Sequence, residues 1–285
     1  MDQKVLIFVP INIGRNLDNL LRKEISGVEF ITPKSPGEEF EHIELALSNP
    51  EEAPDVIISL QPEIIRSLEM IESSGHFEKI QKDEFVVRQE FKDDFEDAGD
   101  YLQPLFLAPL ILIANGDIEN PPRGWQDLAD RFKGRVIAPS VDTPAATVFN
   151  AVMRDMSAEN KNFCDELTCS GLPVDVIMSV NSGLFDVGVI PLPFARYNIA
   201  KNAKPVYPEE GAMVLPQIAL VKKGAGKQAK KTIDYLYGAN IQRFFSQLGG
   251  MVPMREGIPI PKEVEKKNAN FYWKGWDWYK KIMIK

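Results

Sequence analysis

The chain has 285 residues, 44% of them hydrophobic and 26% charged, with a formal net charge of -8. That length allows one large domain or two ordinary ones with substantial cores. The acidic balance, with no basic cluster longer than Lys222-Lys223 or Lys230-Lys231, excludes nucleic acid as the main partner, because neutralising phosphates needs a basic face.

The chain opens Met-Asp-Gln-Lys, and its first apolar run, Val5–Val9, stops at Pro10. This reads as a strand, since an export signal needs a basic leader and a longer apolar segment. No segment approaches the roughly 20 apolar residues of a membrane helix. The expectation is a soluble monomer without membrane insertion, cytoplasmic as the chain is written, or extracytoplasmic if it is a trimmed mature form.

Leu17, Leu20, Leu21 and Ile25 then recur at helical spacing, and Val28–Ile31 reads as a strand. Phe40, Ile43 and Leu47 mark a second helix, Asp55–Ser59 a strand, and a helix starts at Pro62 with Ile64, Ile65, Leu68 and Ile71 on one face. This alternation predicts an α/β fold with mixed, mostly parallel sheets and helices on both faces. Glu90 to Asp100, with Asp93, Asp94, Glu96 and Asp97, lacks the alternating oxygens and central glycine of a calcium loop and reads as a solvated connection.

A long apolar run, Leu105–Ala114, opens a second alternating region. Val136–Ala138 reads as a strand, and a helix begins at Pro144 with the stripe Val148, Phe149, Val152, Met153 and Met156. Cys164 and Cys169 fall in what reads as one helix, pointing apart as free thiols. With only His42 and His76 elsewhere, they make a poor zinc site, and no metal or cofactor is expected. Val174–Met178 and Val187–Ile190 read as strands, and Met213–Val221 is a second long run. Helices carrying Ile233, Leu236 and Tyr237, then Ile241, Phe244, Phe245 and Leu248, end at Gly249-Gly250. Two long runs bracketing an inner unit predict two lobes, residues 1–107 with 212–285 and residues 108–211, hinged on crossing strands.

Several stretches carry a resemblance. Pro122-Arg123-Gly124-Trp125-Gln126-Asp127-Leu128 followed by Phe132-Lys133-Gly134-Arg135-Val136 resembles a P-x-x-W-x-D-L … K-G-K-I signature. Ala53–Ser59, Val180–Gly188, Pro208-Glu209-Glu210-Gly211 and Gly249–Arg255 are similar, in order, to further segments of the same proteins. These are the ABC transporter solute-binding proteins, in the cluster with iron(III)-, polyamine- and thiamine-binding members. The resemblance spans most of the chain and implies a two-lobed type II periplasmic-binding-protein-like fold. It also implies non-catalytic binding of a small polar or anionic solute between the lobes, with an ABC permease as partner. The adjacent tyrosines of iron(III)-binding members have no counterpart here, Tyr197 and Tyr207 being single, which weighs against ferric iron.

On that fold the ligand lies where loops leave the carboxyl ends of strands. The candidates are Asn12, Ile13, Ser59 and Gln61 in the first lobe, and Ser140, Asp142, Thr143, Asn181, Ser182 and Pro191 in the second. Thr143 before Pro144 is also an ordinary helix cap, and turn chemistry alone accounts for Asn181-Ser182-Gly183. Asp142 points to an amine or cation and opposes a fully anionic ligand. The loops Ser140–Ala146 and Asn181–Leu184, read as helix starts, favour a carboxylate, phosphate or other oxyanion. The alternatives are a cytoplasmic sensor or carrier on the same fold and an enzyme on a similar frame. An enzyme needs a Gly-rich phosphate loop or a clustered nucleophile, and the sequence offers neither.

Overall fold

A computed structural model describes residues 3–80, 87–91, 98–197, 202–268 and 270–284, without the side chains of residues 11, 12, 90, 197 and 284. Asp93, Asp94, Glu96 and Asp97 of the acidic stretch lie outside the described residues; Asp100 pairs with Lys79.

The first third alternates as its apolar spacing dictates: β1 (Gln3–Ile7), α1 (Ile11–Glu24), β2 (Val28–Ile31), α2 (Pro36–Ser48), β3 (Val56–Ser59), α3 (Pro62–Arg66) and α4 (Leu68–Ser74). In α1 the buried residues Ile13, Leu17 and Leu21 recur every four positions and turn one face to the sheet. Then follow β4 (Gln103–Asn115), α5 (Trp125–Arg131), β5 (Val136–Ala138), α6 (Pro144–Met156), α7 (Asn160–Asp165), β6 (Thr168–Cys169), α8 (Pro173–Asn181), β7 (Val187–Pro191), α9 (Leu192–Tyr197), β8 (Ala203–Val206) and β9 (Met213–Val221). The chain ends with α10 (Lys227–Tyr237), α11 (Ala239–Gln247), β10 (Val252–Pro253), α12 (Lys262–Glu265) and α13 (Trp276–Ile284).

The strands join into one sheet, ordered β2-β1-β3-β9-β4-β7-β5-β6, with β8 and β10 also on β4. It is parallel at both ends, where β1 lies between β2 and β3 and β5 between β6 and β7. The middle is antiparallel, because the two long apolar runs pass there. β4, buried along its whole length, pairs with β9 from Gln103 to Leu110 and with β7 from Leu110 to Ala114. Each run is thus a strand covered on both faces, which is why neither shows polar alternation.

Two readings are corrected. Val174–Met178 is not a strand: it lies within α8, whose Val176 and Val180, four apart, are both buried. A short apolar run fits either element, and Pro173 at the first helical position was the signal for a helix. Nor do Cys164 and Cys169 share a helix, since they lie in α7 and β6. Burial pushes the Cys164 thiol up to about 11.

Two of the family-like segments meet in space. The Glu210 carboxylate accepts the N–H of Trp125 at 3.0 Å and of Gln126 at 3.0 Å, capping α5, while the Trp125 indole N–H donates to the Gly211 carbonyl at 2.8 Å. Gly124 leaves room for this cap, because a Cβ there would stand 1.8 Å from the Glu210 carboxylate and displace it. Glu210→Ala should lower the stability by about 1–2 kcal/mol, read as a reduced urea midpoint; an unchanged midpoint removes the cap's role. The tryptophan-rich tail is structural as well. In α13, Trp276 and Tyr279 are buried, and the Trp278 indole N–H donates to Asp155 of α6 at 2.8 Å.

Candidate functional site

A cavity of about 570 Å³ opens where the strands of both sheet halves end, a volume suited to a small molecule. The chain leaving β1 contributes Phe8, Val9 and Pro10, and that leaving β2 contributes Thr32, Pro33 and Lys34. Leu60 follows β3. Leu215 of β9 stands opposite Ala108 of β4, and Pro191 ends β7. Facing these are Thr143, Pro144 and Ala145 at the start of α6, and Leu172 and Pro173 at the start of α8.

Four helices therefore begin at this cavity: α1 after Pro10, α2 at Pro36, α6 at Pro144 and α8 at Pro173. Each start carries free N–H groups and about half a positive charge. The four are not equivalent. In α2, Glu38 turns back to accept the Lys34 N–H at 2.7 Å, and in α8 Asp175 accepts the Leu172 N–H at 2.7 Å. These acids partly neutralise their own helix ends. The first turns of α1 and α6 hold no acid. Arg15, in the second turn of α1, and Lys34 also line the cavity. No Asp or Glu occurs among the described lining residues. An arrangement of this kind attracts an anion.

Of the residues singled out by sequence, Thr143 and Pro191 line the cavity. The Thr143 hydroxyl donates to the Ser140 carbonyl at 2.7 Å and accepts the Ala146 N–H at 3.3 Å, so it is fully engaged as a cap. Ser140 lies behind that cap. Asp142 is exposed beside the first turn of α2, 3.9 Å from where a side chain on Gly37 would begin. Ile13 is buried in the core, and Asn12 lies in the first turn of α1, its side chain outside the described residues.

Ser59 and Gln61 form a buried layer behind the wall. The Ser59 hydroxyl donates to Glu39 at 2.6 Å and accepts the Gln61 N–H at 2.9 Å, and the Gln61 amide donates to the Pro36 carbonyl at 3.1 Å. Burial pushes the Glu39 carboxyl up to about 8, against the opposing pull of its bonds to Ser59 and Gln61.

Asn181 and Ser182 are not brought to the cavity. They end α8, whose other end lines it, so that reading of Asn181–Leu184 as a helix start is corrected. Asn181 accepts the Asn202 N–H at 2.9 Å, and Ser182 donates to the Ser179 carbonyl at 3.1 Å. Arg15 and Lys34 are cavity residues that no sequence motif marks. The signal for Arg15 was its place in the helix that follows the first strand, and for Lys34 its place in the polar link after the second.

A mixed sheet of this order, with helices on both faces and helix starts converging on a cleft between its halves, is the type II periplasmic-binding-protein fold. The chain belongs to the bacterial extracellular solute-binding protein family, whose model matches residues 51–281. No curated protein sequence matches. Among solved structures, the apo ferric ion-binding protein A of Pasteurella haemolytica has a TM-score of 0.75 at 18% identity, over 99% of this chain and 94% of that one. AfuA of Actinobacillus pleuropneumoniae, with exogenous fructose-6-phosphate bound, has a TM-score of 0.75 at 17% identity, over 99% and 96%. Iron-bound HitA of Pseudomonas aeruginosa has a TM-score of 0.68 at 17% identity, over 90% and 88%. The protein is thus a solute-binding component of an ABC-type transport system. Its family is extracellular, and among the described residues no helix is long and apolar enough to cross a membrane.

Proposed function

We propose that the chain captures a small organic anion in the cavity between the ends of β1, β3 and β7 and the starts of α1 and α6, and delivers it unchanged to an ABC permease. The observation that carries this reading is the pairing of two helix starts without acids, α1 and α6, with Arg15 and Lys34 on one cavity. Asp142, the sequence argument against a full anion, stands beside α2 rather than in the lining. The described lining also holds no tyrosine, histidine or carboxylate, so it favours the anion itself over a ferric ion as cargo. Tyr207 is engaged elsewhere: its hydroxyl donates to the Asn270 carbonyl at 2.8 Å, and burial raises its pKa. AfuA, with its bound sugar phosphate, supports an organic anion on this fold.

The extracellular family favours work outside the cytoplasmic membrane over a cytoplasmic sensor or carrier; in this reading the chain acts as a monomer. Residues 1–107 with 212–285 form one lobe in this reading and residues 108–211 the other, closing over the solute by bending at β4 and β9. Calorimetry with small phosphates and carboxylates, each beside its uncharged analogue, tests the anion. Only the charged member of each pair should bind, more weakly as salt rises. Arg15→Ala with Lys34→Ala should weaken binding about tenfold to hundredfold. Equal binding of the uncharged analogues, or no loss in the double variant, overturns it.

A further inference from the structure

We infer that the solute carries an apolar body, aryl or branched alkyl, behind its anionic group, and is not a polyhydroxylated sugar phosphate. This rests on reading the cavity as an anion site. Among the described residues, the lining has five polar side chains: Arg15, Asn16, Thr32, Lys34 and Thr143. Thr143 is engaged on both its donor and its acceptor side by Ser140 and Ala146. Asn16 adjoins Arg15 in sequence, and Thr32 lies two residues before Lys34, so the remaining neutral polar groups belong to the segments that carry the cations.

The floor is different. Leu60 after β3, Leu215 of β9, Ala108 of β4 and Pro191 of β7 follow the order of the sheet, and Phe8 and Phe194 also line the cavity. None of these side chains offers a hydrogen bond. The buried amide and carboxylate oxygens without a partner among the described residues, Glu39 Oε2, Asn150 Oδ1 and Gln217 Oε1, all stand outside the lining. The Gln217 amide donates to the Phe8 carbonyl at 2.6 Å, which further occupies the backbone at that wall. A sugar on this floor leaves several hydroxyls without partners, and each such hydroxyl weakens binding about tenfold or more. An apolar body of similar size leaves none, and its removal from water adds to the affinity.

Calorimetry with five probes at one salt concentration tests the inference: inorganic phosphate, glucose 6-phosphate, phenyl phosphate, phenylacetate and benzyl alcohol. Phenyl phosphate or phenylacetate should bind at least tenfold tighter than both inorganic phosphate and glucose 6-phosphate, and the better of the two identifies the anionic group. Glucose 6-phosphate binding as tightly as phenyl phosphate overturns the apolar body and leaves the anion reading standing. Benzyl alcohol binding as tightly as phenyl phosphate overturns the anion reading instead. Binding by none of the five at millimolar concentration overturns both.

Discussion

Glu39→Gln should make the protein more stable than the parent at pH 8 and close to it at pH 5. Glu39 is fully buried in α2, with Ser59 donating to one carboxyl oxygen and no partner for the other among the described residues. Burial penalises an ionised carboxylate there by more than the hydrogen-bonding groups of Ser59, Gln61 and the Leu60 backbone favour it, so its pKa is pushed from 4.5 to about 8. The sign follows. Below pH 4.5 the carboxyl is protonated in both folded and unfolded chains. Between 4.5 and 8 the unfolded chain releases the proton and the folded one keeps it. Stability therefore falls across that window as pH rises, by about 1.4 kcal/mol per unit from this group. Glutamine keeps an acceptor for the Ser59 hydroxyl and cannot ionise. Urea unfolding of both proteins at half-unit steps from pH 5 to 9 reads the difference, which should grow with pH and level off near 8. Parallel curves would mean that Glu39 ionises normally in the folded state.

That group was invisible in the sequence. Ser59 and Gln61 stood out because they follow a strand, and the structure brings them to the back of the cavity wall, yet nothing in the spacing joined them to a glutamate twenty residues earlier. The architecture was far more legible. Val5–Ile7 and Val136–Ala138 could be read as strands because short continuous apolar runs punctuated by proline and glycine have few other uses, and Val28–Ile31, interrupted only by Glu29, because it follows Gly27 with β-branched and aromatic residues. Thr143-Pro144 gave the start of α6 for a similar local reason: the cap and the proline both act within one turn. The candidate site was less legible because it is assembled from segments that are remote in sequence. Arg15 and Lys34 gain their meaning from α6 and α8, more than a hundred residues further on, and only the sheet order brings these together. The reading of Asn181–Leu184 as a helix start turned on one wrong period: once Val174–Met178 is helical, Asn181 and Ser182 end that helix, whose other end lines the cavity.

Gly188→Ala should disturb that helix and, through it, solute binding. Gly188 lies in β7, opposite Ile113 of β4 and Ile137 of β5, and α8 packs directly on its backbone. A Cβ at this position would stand 2.6 Å from a Val176 methyl and 3.0 Å from atoms of both Ile113 and Val180. Three buried side chains would have to give, one of them in the sheet, so α8 is the element free to move. Overpacking of this kind costs about 1–3 kcal/mol. Because α8 begins at Leu172 and Pro173, which line the cavity, a shift of its axis also displaces part of the cavity wall. The expected outcome is a lower urea midpoint together with weaker binding of whichever anionic probe the parent takes. Val176→Ala removes the methyl involved in the shortest contact, so adding it to Gly188→Ala should restore part of both losses, with a favourable coupling of about 1 kcal/mol. If the two substitutions simply add, α8 is not held by Val176 against Gly188. If stability falls while binding holds, the start of α8 is not part of the solute's wall.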